Sequence, residues 1–224
     1  MNDSLSAFDA NEYDDQIKRT VPFYEEFYKQ VVELVNIQFH TSIQWLDVGS
    51  GTGKMAEVAF KNLSFIDRFV LCDHCQEMIE IAKERLQGNP KTEFVHQSLF
   101  DVDVHEIFHV ITAMQVLHYY QQKERISAIQ KCYQALRENG MFITFENFAP
   151  NSEMGLNLFL KRWKSYQCLQ GKPEQECDRH IARYGKDYFP IPVAEHLEIL
   201  RLCGFRACEV IWLSNMQVGL MGIK

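Results

Sequence analysis

The 224-residue sequence predicts an α/β fold, a parallel sheet covered on both faces by helices, and three observations carry that expectation. Short apolar runs alternate with stretches whose apolar residues recur every three or four positions, from residue 43 to about residue 145. A glycine-rich turn, "WLDVGSGTGKMAE" at residues 45–57, stands directly behind the first apolar run. The chain closes on two β-rich runs separated by Ser214-Asn215, which read as a terminal hairpin. Parallel strands need helical crossovers, and those crossovers cover both faces of the sheet.

Taken in order, residues 9–38 read as one or two helices broken at Pro22, the second with an apolar face of Val31, Leu34, Val35 and Ile37. Ile43 to Leu46 is the first strand, and the pattern turns helical from Lys54 to Asn62. Phe65 to Leu71 is the second strand, ending at Cys72-Asp73. Gln76 to Leu86 is helical through Met78, Ile79, Ala82 and Leu86, and Gly88-Asn89-Pro90 stops it. Thr92 to His96 and Val110 to Ala113 are the third and fourth strands. A helix from Gln122 to Leu136, a turn at Glu138-Asn139-Gly140 and a fifth strand from Met141 to Phe145 follow. Residues 151–189 carry aromatic and charged residues without a strand pattern and read as helices inserted over the sheet. Val193 to Leu202 is a last helix, capped by Gly204, before the runs Phe205–Leu213 and Met216–Ile223.

Composition narrows the class. The net charge is −7, against the basic face of a duplex nucleic-acid binder, so nucleic acid is not the expected partner. Between residues 161 and 187, however, Lys161, Arg162, Lys164, Lys172, Arg179, Arg183 and Lys186 outnumber four acids, which marks a solvated helical surface or a site for an anionic group. No apolar run approaches the roughly 20 residues of a membrane span. The first twenty residues lack the apolar core of a signal peptide, and seven scattered cysteines fit reduced thiols, so the expected location is cytoplasmic.

The glycine loop admits three readings. A phosphate-binding G-x-x-x-x-G-K-[ST] loop would need glycine at Val48 and a hydroxyl at Met55. A dinucleotide G-x-G-x-x-G loop would need glycine at Lys54. What remains is acid-x-G-x-G-x-G directly after the first strand, in which Gly49, Gly51 and Gly53 let the backbone turn sharply beside a ligand. A ligand with an amino group and a carboxylate suits Asp47 and the exposed amides around Ser50. Asp73, at the end of the second strand, can accept from a ribose hydroxyl pair. Met78 can pack on an adenine, whose edge would fall near Ser98 and Leu99 after the third strand.

These residues together resemble the class I S-adenosylmethionine-dependent methyltransferases: "LDVGSGTG" is similar to their first motif, "VLCDHCQEMIEIAKER" to their acidic second element and "ALRENGMFIT" to the turn and strand beyond. The resemblance implies a Rossmann-like seven-stranded sheet in the order 3-2-1-4-5-7-6 with the last strand antiparallel, S-adenosylmethionine as cofactor, and His74 and Ala113 as further residues of its site. The ends, "IKRTVPFYEE" and "EHLEILRLCGFRACEVIW", resemble the carboxy-S-adenosylmethionine synthases. That likeness implies nucleotide contact by Tyr24 and makes Arg179 the nearest candidate for holding an extra carboxylate. The G-S-G-T-G centre and the residues around Arg179 depart from those synthases, so the chain reads as a relative with a different reaction.

The expected reaction is methyl transfer to a small-molecule acceptor, with His118, Tyr119 and Glu146 as candidates for moving a proton and Tyr13, Trp163, Arg179 and Tyr184 as candidates for holding the acceptor. Residues 1–40 are expected to form a helical lid over a domain of residues 41–224, with Phe23 packed inward and Tyr24 turned to the nucleotide. A homodimer is compatible with this reading. The rival readings are a carboxy-S-adenosylmethionine synthase of wobble-uridine modification and a non-catalytic nucleotide-binding partner protein. Two metal-like motifs carry no such expectation. In "HEIFH", His105 and His109 on a strand stand about 13 Å apart, too far for one zinc. "CDHC" at residues 72–75 has no second ligand pair.

Overall fold

The computed structural model describes residue 6 and residues 8–224; residues 1–5 and 7 of the expected lid lie outside the described residues. Its centre is a seven-stranded sheet in the order β3-β2-β1-β4-β5-β7-β6. The strands are β1 (Ile43–Val48), β2 (Ile66–Asp73), β3 (Thr92–His96), β4 (Phe108–Met114), β5 (Leu136–Asn147), β6 (Ala207–Ser214) and β7 (Gln217–Ile223). β1 to β5 pair parallel, and β7 runs antiparallel to both β5 and β6. The order and direction implied by the resemblance are therefore those observed. The order reverses between β1 and β4, and a crevice opens beyond the carboxyl ends of the strands at such a switch point.

Each face of the sheet has its own core. On one, α5 (Gln122–Ala135) buries Ala128, Ile129 and Cys132 over β5, and α8 (Val193–Leu202) buries Ile199 and Leu200 over β6 and β7. On the other, α2 (Tyr24–Gln38), α3 (Lys54–Asn62) and α4 (Gln76–Arg85) bury Phe27, Val31, Val35, Met55, Ala59 and Ala82. Phe27 stacks on Phe145 of β5 at 4.4 Å and meets Trp212 of β6 edge-on at 5.0 Å. The second half of the expected lid is thus packed into the sheet core, while Tyr13 of α1 (Tyr13–Thr20) lines the cleft at the crevice end. The expected insertion is α6 (Glu153–Leu169) and α7 (Glu174–Ile181). The Ser152 side chain caps α6 by accepting from Gly155 N, and Pro173 and Pro192 stand at the N-caps of α7 and α8.

Several expectations are corrected. Phe23 does not pack inward: it is 63% exposed, with φ 58, and the buried aromatic after Pro22 is Tyr24. Val21 is extended before the proline, and the left-handed Phe23 turns its own ring out as it reverses the chain into α2. The turn at Glu138-Asn139-Gly140 does not separate a helix from a strand, because β5 already runs from Leu136. The turn is a bulge inside β5, with Asn139 at φ 61 and the register shifted opposite β4. The terminal hairpin turns at Asn215-Met216, with Asn215 at φ 57, not at Ser214-Asn215. His105 lies ahead of β4 and is exposed, so only His109 is on a strand. Among the described residues no group of three or more His, Cys, Asp or Glu is placed to hold a metal, and no helix is long and apolar enough to cross a membrane.

Candidate active site

The three glycines of the loop do three different things, and all have positive φ. At Gly49 a Cβ would come within 2.4 Å of Val116, so glycine there lets the turn after β4 close on the loop. At Gly53 a Cβ would meet Ala82 at 3.0 Å and Leu71 at 3.2 Å, so that glycine packs the start of α3 against its neighbours. Above Gly51 there is open space for 4 Å. The loop is pinned to β2: Gly49 N and Ser50 N both donate to Cys72 O, and Gly51 N donates to Asp73 Oδ2 at 2.8 Å. The other carboxylate oxygen of Asp73 accepts from Cys75 N at 2.9 Å, which starts α4.

Two hollows adjoin this loop, and a third shares Tyr13, Gln115 and Tyr119 with the first of them. A cleft of about 660 Å³, open to solvent, is lined by Gly49, Gly51, Asp73, His74, Met78, Gln97, Leu99, Gln115, Val116, Tyr119 and Tyr120. A narrower hollow of about 300 Å³ reaches behind the loop, between Asp47, Ser50, Thr52 and the phenols of Tyr24 and Tyr28. An inner chamber lies between His118, Tyr119, Gln115, Asn147, Trp163 and His180. Tyr13 of α1 lines all three. Burial, and then the nearby Tyr24 and Tyr119 phenols, pushes its hydroxyl well above the ordinary tyrosine range, so it stays protonated.

The two buried acids of the site are held differently. Asp47 is 1% exposed and accepts one side-chain bond, from Thr112 Oγ1 at 2.6 Å. Burial raises its carboxyl to about 7, with the Thr112 bond opposing and the Asp73 charge adding to the rise. Glu146 is fully buried on β5 and accepts four bonds: from Leu117 N, His118 N, His118 Nδ1 at 2.7 Å and Thr144 Oγ1 at 2.6 Å. Burial pushes Glu146 up, but the His118 and Thr144 bonds outweigh it and its carboxyl lies below the usual range. The turn at residues 117–119 is also held from its other side. Buried Arg125 donates from Nε to Leu117 O and from Nη2 to Phe189 O, and Phe189 N donates to His118 O. With Nδ1–H donated to Glu146, the Nε2 atom of a neutral His118 carries the lone pair.

The structure brings Tyr13, Tyr24, Asp47, Gly49, Ser50, Gly51, Asp73, His74, Met78, Leu99, His118, Tyr119 and Trp163 to the walls of these hollows. Others fall elsewhere. The Ser98 hydroxyl accepts from Phe100 N and caps a short 3-10 turn, while its neighbour Gln97 lines the cleft. Ala113 is buried in the sheet core, because β4 runs one residue further than its apolar pattern and hands the wall to Met114, Gln115 and Val116. Gly53 packs helix against strand, as above. Glu146 is enclosed by four donors and lines none of these three hollows. Arg179 lines an outer hollow with Glu12, Lys172 and Glu176, which shares no lining residue with the cleft but adjoins the chamber at Phe8 and His180. Tyr184 packs edge-on against Tyr188. Missed from the sequence were Tyr28, Gln97, Gln115 and Asn147. Gln115 had one signal available, a polar residue at the tip of an apolar strand, where its φ is 61.

Comparison with known proteins bears on this geometry. Residues 46–140, from β1 through the bulge in β5, match a family described as a methyltransferase domain. Along nearly the whole chain the sequence is similar to carboxy-S-adenosyl-L-methionine synthases. That of Helicobacter hepaticus is 26% identical over 209 residues, 91% of this chain and 87% of the relative. That of Nautilia profundicola is 25% identical over 210 residues, 92% of this chain and 88% of the relative. The chain thus carries a methyltransferase domain over residues 46–140. In fold it is similar to a Methanococcus maripaludis protein assigned to the S-adenosyl-l-methionine-dependent methyltransferases, with TM-score 0.66, 16% identity and coverage of 100% of this chain and 97% of the other. It is similar too to the YcgJ protein of Bacillus subtilis, with TM-score 0.66, 15% identity and coverage of 89% and 98%. The cofactor of this methyltransferase is S-adenosylmethionine, and the residues present fit it. Space stands open above Gly51, Asp47 offers a carboxylate with one side-chain partner, and Ser50 Oγ is buried without a hydrogen-bond partner among the described residues.

Proposed function

We propose that this methyltransferase acts on a small-molecule acceptor held in the inner chamber, with His118 as the group that takes up the acceptor's proton. The observation that carries the proposal is the 2.7 Å bond from His118 Nδ1 to the enclosed carboxylate of Glu146, on a turn clamped from both sides and opening on a chamber beside the glycine loop. Asp47, Ser50 and the phenols of Tyr24 and Tyr28 would hold the amino-acid end of the cofactor, Asp73 the ribose, and Met78, Gln97 and Leu99 the base. S-adenosylmethionine supplies a methyl group on a sulfonium that is already activated, so the chain's task is alignment, exclusion of water and handling of one proton. Tyr13, which lines all three hollows, would shield the cofactor from solvent on the α1 side. The hollow between Trp163, Tyr119 and His180 is narrow, which favours an acceptor of few atoms. α1 acts as the lid, tied to the glycine loop by Asp14, which accepts from Thr52 Oγ1 and pairs with Arg85.

A second reading, synthesis of a carboxylated S-adenosylmethionine, is favoured by the similarity to those synthases over 91% of the chain. Against it stands the position of Arg179 in the outer hollow, so that no arginine among the described residues lines the cleft or the chamber. Mass spectrometry of ligand released from freshly purified protein separates the two. Unmodified S-adenosylmethionine or S-adenosylhomocysteine is expected, and a species heavier by one carboxylate would establish the second reading. Small nucleophiles are then screened for S-adenosylhomocysteine release by the wild type and His118→Gln. An acceptor turned over equally by both would remove His118 from the chemistry.

A further inference from the structure

Six of the seven cysteines are buried, and the only one reaching the surface is Cys168, near the end of α6. Its Sγ lies 3.5 Å from Sγ of Cys177 on α7, which is fully buried. The Cys177 thiol also points at Lys172 O, and burial pushes it up to about 11, so it stands as a neutral thiol. An accessible thiol backed by a shielded one is the arrangement that turns a first oxidation into a disulfide before over-oxidation.

The ten residues from Cys168 to Cys177 also hold α1. Arg19 donates to Gln170 O and Gly171 O, and Lys172 Nζ donates to Thr20 Oγ1 at 2.9 Å. From the adjoining length of α6, Trp163 Nε1 donates to Thr20 O at 2.6 Å and Tyr166 OH to Lys18 O at 3.2 Å. Most of what secures the C-terminal end of α1 is therefore presented by α6 and by the segment the two thiols span. Cys177 is one turn from His180, which packs edge-on against Trp163 at 4.8 Å in the chamber wall.

We propose that Cys168 and Cys177 form a two-electron redox site, taking a peroxide-class oxidant, whose disulfide fastens the α6–α7 turn and so the end of α1. Hydrogen peroxide oxidises the Cys168 thiol to a sulfenic acid with release of one water. The Cys177 sulfur then attacks Sγ of Cys168, the S–O bond breaks, and the Cys177 proton leaves with hydroxide as a second water. The two thiols give up two electrons to one peroxide. A dithiol reductant reverses the step by thiol–disulfide exchange. A disulfide needs sulfurs about 2.05 Å apart, so they must close by about 1.5 Å.

The full-length protein, reduced and then treated with one equivalent of hydrogen peroxide, tests this by peptide mapping and amide hydrogen exchange. The expected product is one disulfide joining Cys168 and Cys177, with the other five cysteines as thiols. Exchange at the amides of residues 17–21 is expected to slow by about tenfold and to recover with dithiothreitol. Cys168→Ser, which keeps a small polar side chain at a partly buried position, should show neither change under the same peroxide. Sulfinic or sulfonic acid at Cys168 beside an intact Cys177 thiol would overturn the redox site. A disulfide that leaves exchange at residues 17–21 unchanged, or slowing that persists in Cys168→Ser, would overturn its connection to α1.

Discussion

Two buried carboxylates stand at the carboxyl ends of strands β1 and β5, and their surroundings differ. Asp47 has one side-chain donor and is raised to about 7; Glu146 has four donors and is held below the usual carboxylate range. Burial pushes both up, so the number of donors decides the sign. A carboxylate left short of partners costs stability and has capacity for a ligand, whereas one that is fully enclosed spends its capacity on the fold. On the proposed function, Asp47 is the place where the protein holds free energy back for binding, and Glu146 the place where it fixes a neighbour, His118, by satisfying both oxygens.

Four substitutions test that contrast. The largest effect is expected at the group Glu146 positions. With an acceptor whose attacking atom must lose a proton, His118→Gln should lower kcat by about 10²- to 10⁴-fold, the range for general base catalysis. Calorimetry should find S-adenosylhomocysteine bound within about twofold of wild type, since His118 lines the chamber and not the cleft. Loss of binding in place of turnover would merge the two regions into one.

Next is Glu146→Gln. It removes the charge from four hydrogen bonds and puts an amide N–H₂ against donors, so chemical denaturation at pH 7.5 should show a loss of about 2–4 kcal/mol. Because Glu146 is lowered in the folded state, its contribution is present above the unfolded carboxyl value near 4.5 and is lost as pH falls through the folded one. The deficit of the variant should therefore shrink in acid. A deficit that stays constant across the acid range would assign the effect to packing alone.

Asp47→Asn should act with the opposite sign on stability. A carboxyl raised from 3.8 to about 7 makes the folded state bind more protons than the unfolded one between those values, so wild-type stability falls as pH rises across that window. Replacing the acid should stabilise the empty protein by about 1–3 kcal/mol at pH 8, read from its melting temperature, and weaken S-adenosylmethionine binding. In the wild type, affinity for the cationic ligand should drop below pH 7 as Asp47 takes up a proton. A variant both less stable and undiminished in binding would reverse the assignment of the two acids.

The smallest effect is expected from Tyr24→Phe. Tyr28 OH donates to Tyr24 OH at 2.7 Å beside Asp47, and removing the acceptor leaves one neutral donor to find another partner. A loss of about 1 kcal/mol in cofactor affinity is the expected scale. No change in affinity with a full loss of stability would make the phenol pair a core feature and not part of the hollow.

The region around Asp47 was legible in the sequence because its parts are local: a strand, three glycines and a helix within 43–62, with Asp73 at the end of the next strand. Spacing in the chain becomes spacing in space there, since each step follows strand and helix geometry. The same locality misled where elements end. β4 runs one residue past its apolar pattern, so the wall passes to Gln115 instead of Ala113, and Ser98 caps a turn one residue beyond the cleft-lining Gln97.

The sequence by itself determined the sheet, its glycine loop and the acids at the strand ends, because hydrophobic periodicity and glycine's tolerance of positive φ are properties of short stretches. Tertiary structure alone decided which of those acids is enclosed and which is left short of partners. Three of the four donors to Glu146 come from Leu117 and His118, 28–29 positions earlier in the chain, and Trp163 meets Thr20 across 143 residues. Protonation follows the count of such donors around a desolvated group, and that count exists only once the chain has packed.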